Sequence, residues 1–162
     1  MEANDPQAFK KTVLVVDDDA AVRDMVADIL KDARYNVLSA RTGSEGLQVS
    51  QQFKGEIQML VSDFQMPGMS GLDLATAMTT DHPELKVLLM SGFPKGLLVL
   101  NEGWHFLSKP FMASQLTALV ETLANPDKKS RYADDLESAE LGDVKPPRLS
   151  PKVCRYKASQ VK

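Results

Sequence analysis

Three carboxylates, a hydroxyl and a lysine stand at the ends of separate apolar runs in this chain. Asp17 and Asp18 lie in VLVVDDD (13–19), Asp63 in SDFQMPGMSG (62–71), Ser91 in LLMSG (88–92) and Lys109 in FLSKPF (106–111). Adjacent carboxylates can hold Mg2+, one directly and one through water, because this ion takes oxygen ligands and keeps several waters. A carboxylate such as Asp63 becomes a competent nucleophile toward phosphorus once a metal and a cation neutralise the incoming group. Ser91 offers a hydroxyl, Gly92 behind it leaves room for phosphate, and Lys109 supplies a mobile point charge. Together these types would perform Mg2+-dependent acceptance of a phosphoryl group. Taken singly, each also has the look of an ordinary turn, helix cap or surface lysine.

What turns five separate residues into one site is the set of elements that carries them. Apolar runs too short for helices, at 12–16, 57–61 and 85–90, alternate with segments whose apolar residues recur every three or four positions. Near-continuous apolar strands are those buried on both faces, so the expected fold is α/β, a doubly wound parallel sheet with helices on each side. The pattern predicts strands at 12–17, 35–40, 57–62, 85–90 and 104–107, with helices near 20–33, 43–53, 71–80 and 112–124 and a short one near 95–100. Asp19 is expected to cap the first helix, whose buried stripe is Val22, Met25, Val26, Ile29 and Leu30. Gly43-Ser44 opens the second helix, His82-Pro83 closes the third, and Lys109–Pro110 is a candidate cis peptide. In such a sheet the carboxyl ends of the strands meet at one rim, which is where all five polar residues fall.

Composition bounds the reading. A chain of 162 residues, 43% hydrophobic, can bury one good core with some chain left over. A net charge of -3 does not point to nucleic acid or membrane, although its distribution is uneven: residues 1–124 hold 16 acids and 10 bases, residues 125–162 hold 6 acids and 9 bases. The expected organisation is an N-terminal arm at 1–10, one domain at 11–124, and a polar, disordered tail at 125–162. Within that tail a brief helix at 132–141 and an extended PPRLSP stretch at 146–151 are expected. Cys154 is the only cysteine, which excludes an intramolecular disulfide and fits a reducing compartment. The N-terminal MEANDPQAFKK fits neither a signal peptide nor a membrane span, so the expected location is cytoplasmic.

From about residue 11 to 123 these motifs resemble the receiver domain of two-component response regulators. The MSGF wording at 90–93 is similar to receivers attached to hybrid histidine kinases. The resemblance implies a flavodoxin-like (βα)5 fold with strand order 2-1-3-4-5, and a shortened fourth helix in the interval between Ser91 and Lys109. It implies that Asp63 is the phosphoacceptor, that Asp17, Asp18, Asp63 and the backbone carbonyl of Gln65 hold Mg2+, that Ser91 binds a phosphoryl oxygen and that Lys109 pairs with Asp63 or its phosphate. Ser91 and Phe106 would form the switch, Phe106 filling vacated space without a hydroxyl to make a new hydrogen bond. The implied donor is a histidine kinase or histidine phosphotransfer protein, and the output is phosphorylation-dependent binding of a downstream protein. No enzyme activity is expected beyond self-catalysed aspartyl phosphorylation and dephosphorylation. The 38 mostly polar residues after 124 are too few for a DNA-binding or enzymatic output domain, so a stand-alone regulator is expected. Two other readings differ in class: a non-switching adaptor that recruits partners through the fold and tail, and a regulator touching nucleic acid through the six bases of 145–162.

Overall fold

The computed structural model describes residues 11–92 and 103–126. The short or shortened helix expected in 93–102 and the helix and extended stretch expected in the tail lie outside the described residues. In chain order the elements are β1 (Thr12–Val16), α1 (Ala20–Asp32), β2 (Asn36–Ala40), α2 (Gly43–Gln52), β3 (Met59–Asp63), α3 (Gly71–Asp81), β4 (Lys86–Ser91), β5 (Trp104–Ser108) and α4 (Ala113–Ala124). The strands form one parallel sheet in the order β2-β1-β3-β4-β5, the doubly wound, flavodoxin-like arrangement. The predicted helix at 112–124 is α4 here.

Position in the sheet explains each strand's composition. β1, β3 and β4 are interior, and their TVLVV, MLVSD and KVLLMS runs are buried almost throughout, whereas the edge strands β2 and β5 are mostly half-buried. Successive side chains alternate between two cores. Val13, Val15, Met59, Val61, Leu88 and Met90 pack with Val26 and Leu30 of α1 and Leu116 and Val120 of α4. Leu14, Val16, Leu60, Val87 and Leu89 pack on the other face with Leu74, Ala75 and Met78 of α3. Truncating one of these buried leucines, such as Leu88, to alanine would cost about 3 kcal/mol.

Local signals set the helix boundaries. Asp19 caps α1, its carboxylate accepting from the amides of Ala21 and Val22. Thr42 accepts from the Glu45 amide at the start of α2, and Ser70 and Asp73 form a reciprocal capping box on α3, while His82 ends that helix. The Lys109–Pro110 peptide is cis. Two expectations are corrected. Met25 is 44% exposed, and Ala27 takes the buried place beside Val26, because at 3.6 residues per turn Val26, Ala27 and Leu30 centre the buried arc of α1 and Met25 falls outside it. β3 begins at Met59, since the Gln58 side chain, rather than a longer strand, satisfies the Thr12 amide there.

Candidate functional site

All five strand-end residues come together at the carboxyl rim. β1 delivers Asp17, whose amide still bonds the Ala40 carbonyl at 3.3 Å, so the side chain emerges where the ladder ends. β3 delivers Asp63 in register with Met90, which puts Ser91 one residue further along the same rim. β5 delivers Lys109, whose amide donates to the Ser91 carbonyl at 2.8 Å. The Lys109 ammonium bridges the cluster, donating to Asp63 Oδ1 at 2.8 Å and to Asp17 Oδ2 at 3.0 Å. The second oxygen of Asp17 accepts from the Asp19 amide at 2.9 Å. Asp17, Asp63 and Ser91 are buried, at 1%, 8% and 3% exposure, so carboxylates and hydroxyl sit in a recess rather than on an open surface.

The electrostatics of the recess are those of too many negative charges for one cation. Burial raises the Asp63 pKa above the ordinary aspartate value; Lys109 opposes this, and the nearby Asp17 and Asp18 charges reinforce it. Burial disfavours the Lys109 ammonium, but its bonds to Asp63 and Asp17 outweigh that and hold its pKa above the usual lysine value. The two directions are compatible because Lys109 gains from two carboxylates, whereas Asp63 shares one cation and also meets two like charges.

The donor set fits a hard divalent cation. Asp17, Asp18 and Asp63 each offer a carboxylate oxygen, all within 4.8 Å of one another, and Asp18 is exposed where Asp17 and Asp63 are buried. An all-oxygen set with one side open to solvent suits Mg2+, which retains several of its waters. Gln65 lies exposed in the loop two residues beyond Asp63. Phe106 is half-buried in β5 opposite Leu89 and packs against the core face that carries Leu60 and Leu74.

Sequence reasoning did not find the residue that lets the Asp63 loop close. At Gly71 a Cβ would stand 2.0 Å from the Asp63 carbonyl oxygen, and the Gly71 amide donates to the Phe64 carbonyl at 3.0 Å. Only glycine permits α3 to start this close to the strand end. Gly43 plays a similar part against the same loop, since a Cβ there would meet the Met69 carbonyl oxygen at 2.7 Å. The available signal was the pair of cap-plus-glycine steps, Thr42-Gly43 and Ser70-Gly71, which mark tight entries into both helices.

The family model for the response regulator receiver domain matches residues 13–121. The chain belongs to that family. Among curated relatives, the sensor kinase CckA of Brucella abortus is 34% identical over 116 residues, covering 69% of this chain and 12% of that kinase. The transcriptional regulatory protein FixJ of Bradyrhizobium diazoefficiens is 29% identical over 144 residues, covering 85% of this chain and 69% of FixJ. The match spans between 12% and 27% of the length of the first such relatives. Among solved structures, the receiver domain from the hybrid histidine kinase CckA superposes with a TM-score of 0.62 at 31% identity, covering 70% of this chain and 98% of that one. The chemotaxis protein CheY4 of Vibrio cholerae gives a TM-score of 0.62 at 26% identity, with the same two coverages of 70% and 98%. A receiver is a phosphoacceptor signalling domain of two-component systems, supplied by histidine kinases and generally dependent on Mg2+. No helix among the described residues of this receiver is long and apolar enough to cross a membrane.

Proposed function

We propose that this receiver takes a phosphoryl group from a phosphohistidine of a kinase or phosphotransfer partner onto Asp63, in the cytoplasm, and signals by binding a downstream protein when phosphorylated. The observation that carries the reading is the convergence of Asp17, Asp18 and Asp63 with Lys109 bridging two of them. An Asp63 oxygen attacks phosphorus in line, a P–O bond forms as the P–N bond to the donor imidazole breaks, and the imidazole leaves with its electron pair and is reprotonated. Asp17, Asp18, Asp63 and the Gln65 carbonyl are the groups that would hold Mg2+, which would offset the charge of the transferring group. Lys109 sits where it can follow that charge from carboxylate to phosphoryl oxygen. Ser91 donates its hydroxyl to a phosphoryl oxygen, and Phe106 repacks as Ser91 moves, altering the rim that a partner reads.

The test is intact-mass measurement after incubation with acetyl phosphate, with and without Mg2+, on wild type and Asp63→Asn. A single phosphate adduct that needs Mg2+ and is absent from the variant is expected. Wild type that stays unmodified by both acetyl phosphate and a phosphohistidine donor would overturn the reading in favour of an adaptor.

A further inference from the structure

Arg23, the fourth residue of α1, lies below the carboxylate cluster without belonging to it. Its side chain is only 14% exposed. Its Nη1 donates to the backbone carbonyl of Asp17 at 2.9 Å. Among the described residues its one ion pair, with the exposed Asp24, is stretched to 4.0 Å and contributes little. The carbonyl is therefore the firm anchor of this guanidinium, in a charge-assisted hydrogen bond.

That carbonyl belongs to the peptide unit joining Asp17 to Asp18. A peptide unit is planar, so fixing its oxygen fixes the direction in which the Asp18 Cα leaves it. Asp17 itself is held at every polar atom: its amide by Ala40, its two carboxylate oxygens by the Asp19 amide and Lys109, and its carbonyl by Arg23. Asp18 is exposed, yet its carboxylate still reaches within 4.8 Å of those of Asp17 and Asp63.

We propose that Arg23 is a positioning residue for the divalent-cation site, holding the Asp17–Asp18 peptide in the plane that turns the Asp18 carboxylate toward those of Asp17 and Asp63. This rests on the Mg2+-dependent reading above. Arg23 touches neither the cation nor the phosphoryl group. As a bare charge it would repel a divalent cation, so the two possible influences of this residue have opposite signs.

The experiment is calorimetric titration of the full chain with MgCl2, for wild type, Arg23→Met and Arg23→Lys, with thermal melts alongside. Loss of an orienting group beyond the ligands is expected to weaken Mg2+ binding about tenfold in Arg23→Met, with part of the loss restored in Arg23→Lys. The Mg2+ concentration giving half-maximal phosphorylation by acetyl phosphate should shift by the same factor, while the rate at saturating Mg2+ stays within about twofold of wild type. Unchanged or tighter Mg2+ binding in Arg23→Met would overturn the proposal, the tighter result meaning that only the charge is felt. If Arg23→Met does not fold, Arg23→Gln is read by the same criterion. A wild-type protein that binds no Mg2+ would overturn the metal reading itself, a result distinguishable from any difference between variants.

Discussion

At the amino end of the sheet, long polar side chains serve the backbone. Lys11 Nζ donates to the Ala124 carbonyl and Gln58 Oε1 accepts from the Thr12 amide at 2.7 Å, beside a cleft of about 210 Å3 that Glu56, Glu84 and Lys86 also line. At the carboxyl end the backbone serves the side chains: the Asp19 amide holds Asp17, the Ser91 carbonyl seats Lys109, and three carboxylates are brought together, two of them on one ammonium. Charges of both signs at an exposed edge cost little to keep there. Like charges gathered in a recess cost stability, and such a cost is characteristic of sites that do chemistry. The same strands therefore end in support at one side and in reactivity at the other.

Substitutions at the two ends should separate these roles. The largest effect is expected for Asp63→Asn, which should abolish the phosphate adduct by mass while the folded circular-dichroism spectrum is kept; unfolding of this variant would mean that the rim is structural. Lys109→Gln comes next. Phosphorylation by acetyl phosphate should slow by about 10²-fold, as for removal of one donor from a site of developing charge. Gly71→Ala should lower stability by about 2 kcal/mol through the clash with the Asp63 carbonyl, and weaken Mg2+ binding as the Asp63 loop shifts. Chemical denaturation and Mg2+ titration read both effects. At the other end, Gln58→Ala should cost about 1 kcal/mol by removing the acceptor for the Thr12 amide, with phosphorylation rates unchanged. A slower rate in that variant would erase the contrast between the two ends.

The recess also makes a pH prediction for the Mg2+-free protein. The folded Asp63 pKa is raised, so the native state binds that proton more tightly than the unfolded chain does. Its contribution therefore favours folding at low pH and is lost as pH rises from the ordinary aspartate value through the folded one. Measured in EDTA, the Tm of Asp63→Asn minus that of wild type should grow across this window and level off above it. A difference that is flat with pH would show that Lys109 fully compensates the carboxylate.

Much of this was legible in the sequence because the signals are local. Apolar runs at 12–16, 57–61 and 85–90, with strand-length segments at 35–40 and 104–107 and helical periods between them, point to a parallel sheet, and Asp17, Asp63, Ser91 and Lys109 fall at or just after the ends of four of these segments. Asp19 as a cap and the cis Lys109–Pro110 peptide depend on neighbours within a few residues, and both are present. Met25 was misplaced because helical period tells which side of α1 faces the sheet but not how far the sheet reaches around it.

What the sequence by itself determined is the identity and order of the rim groups, since strand ends follow from hydrophobic pattern alone. What only the tertiary structure decided is which atoms meet. Lys109 reaches across 92 positions to Asp17 and 46 to Asp63, and Gly71 is required by a carbonyl eight residues back. Such distances depend on register, crossover and packing, which arise from the summed burial of the whole core and are carried by no short stretch of residues.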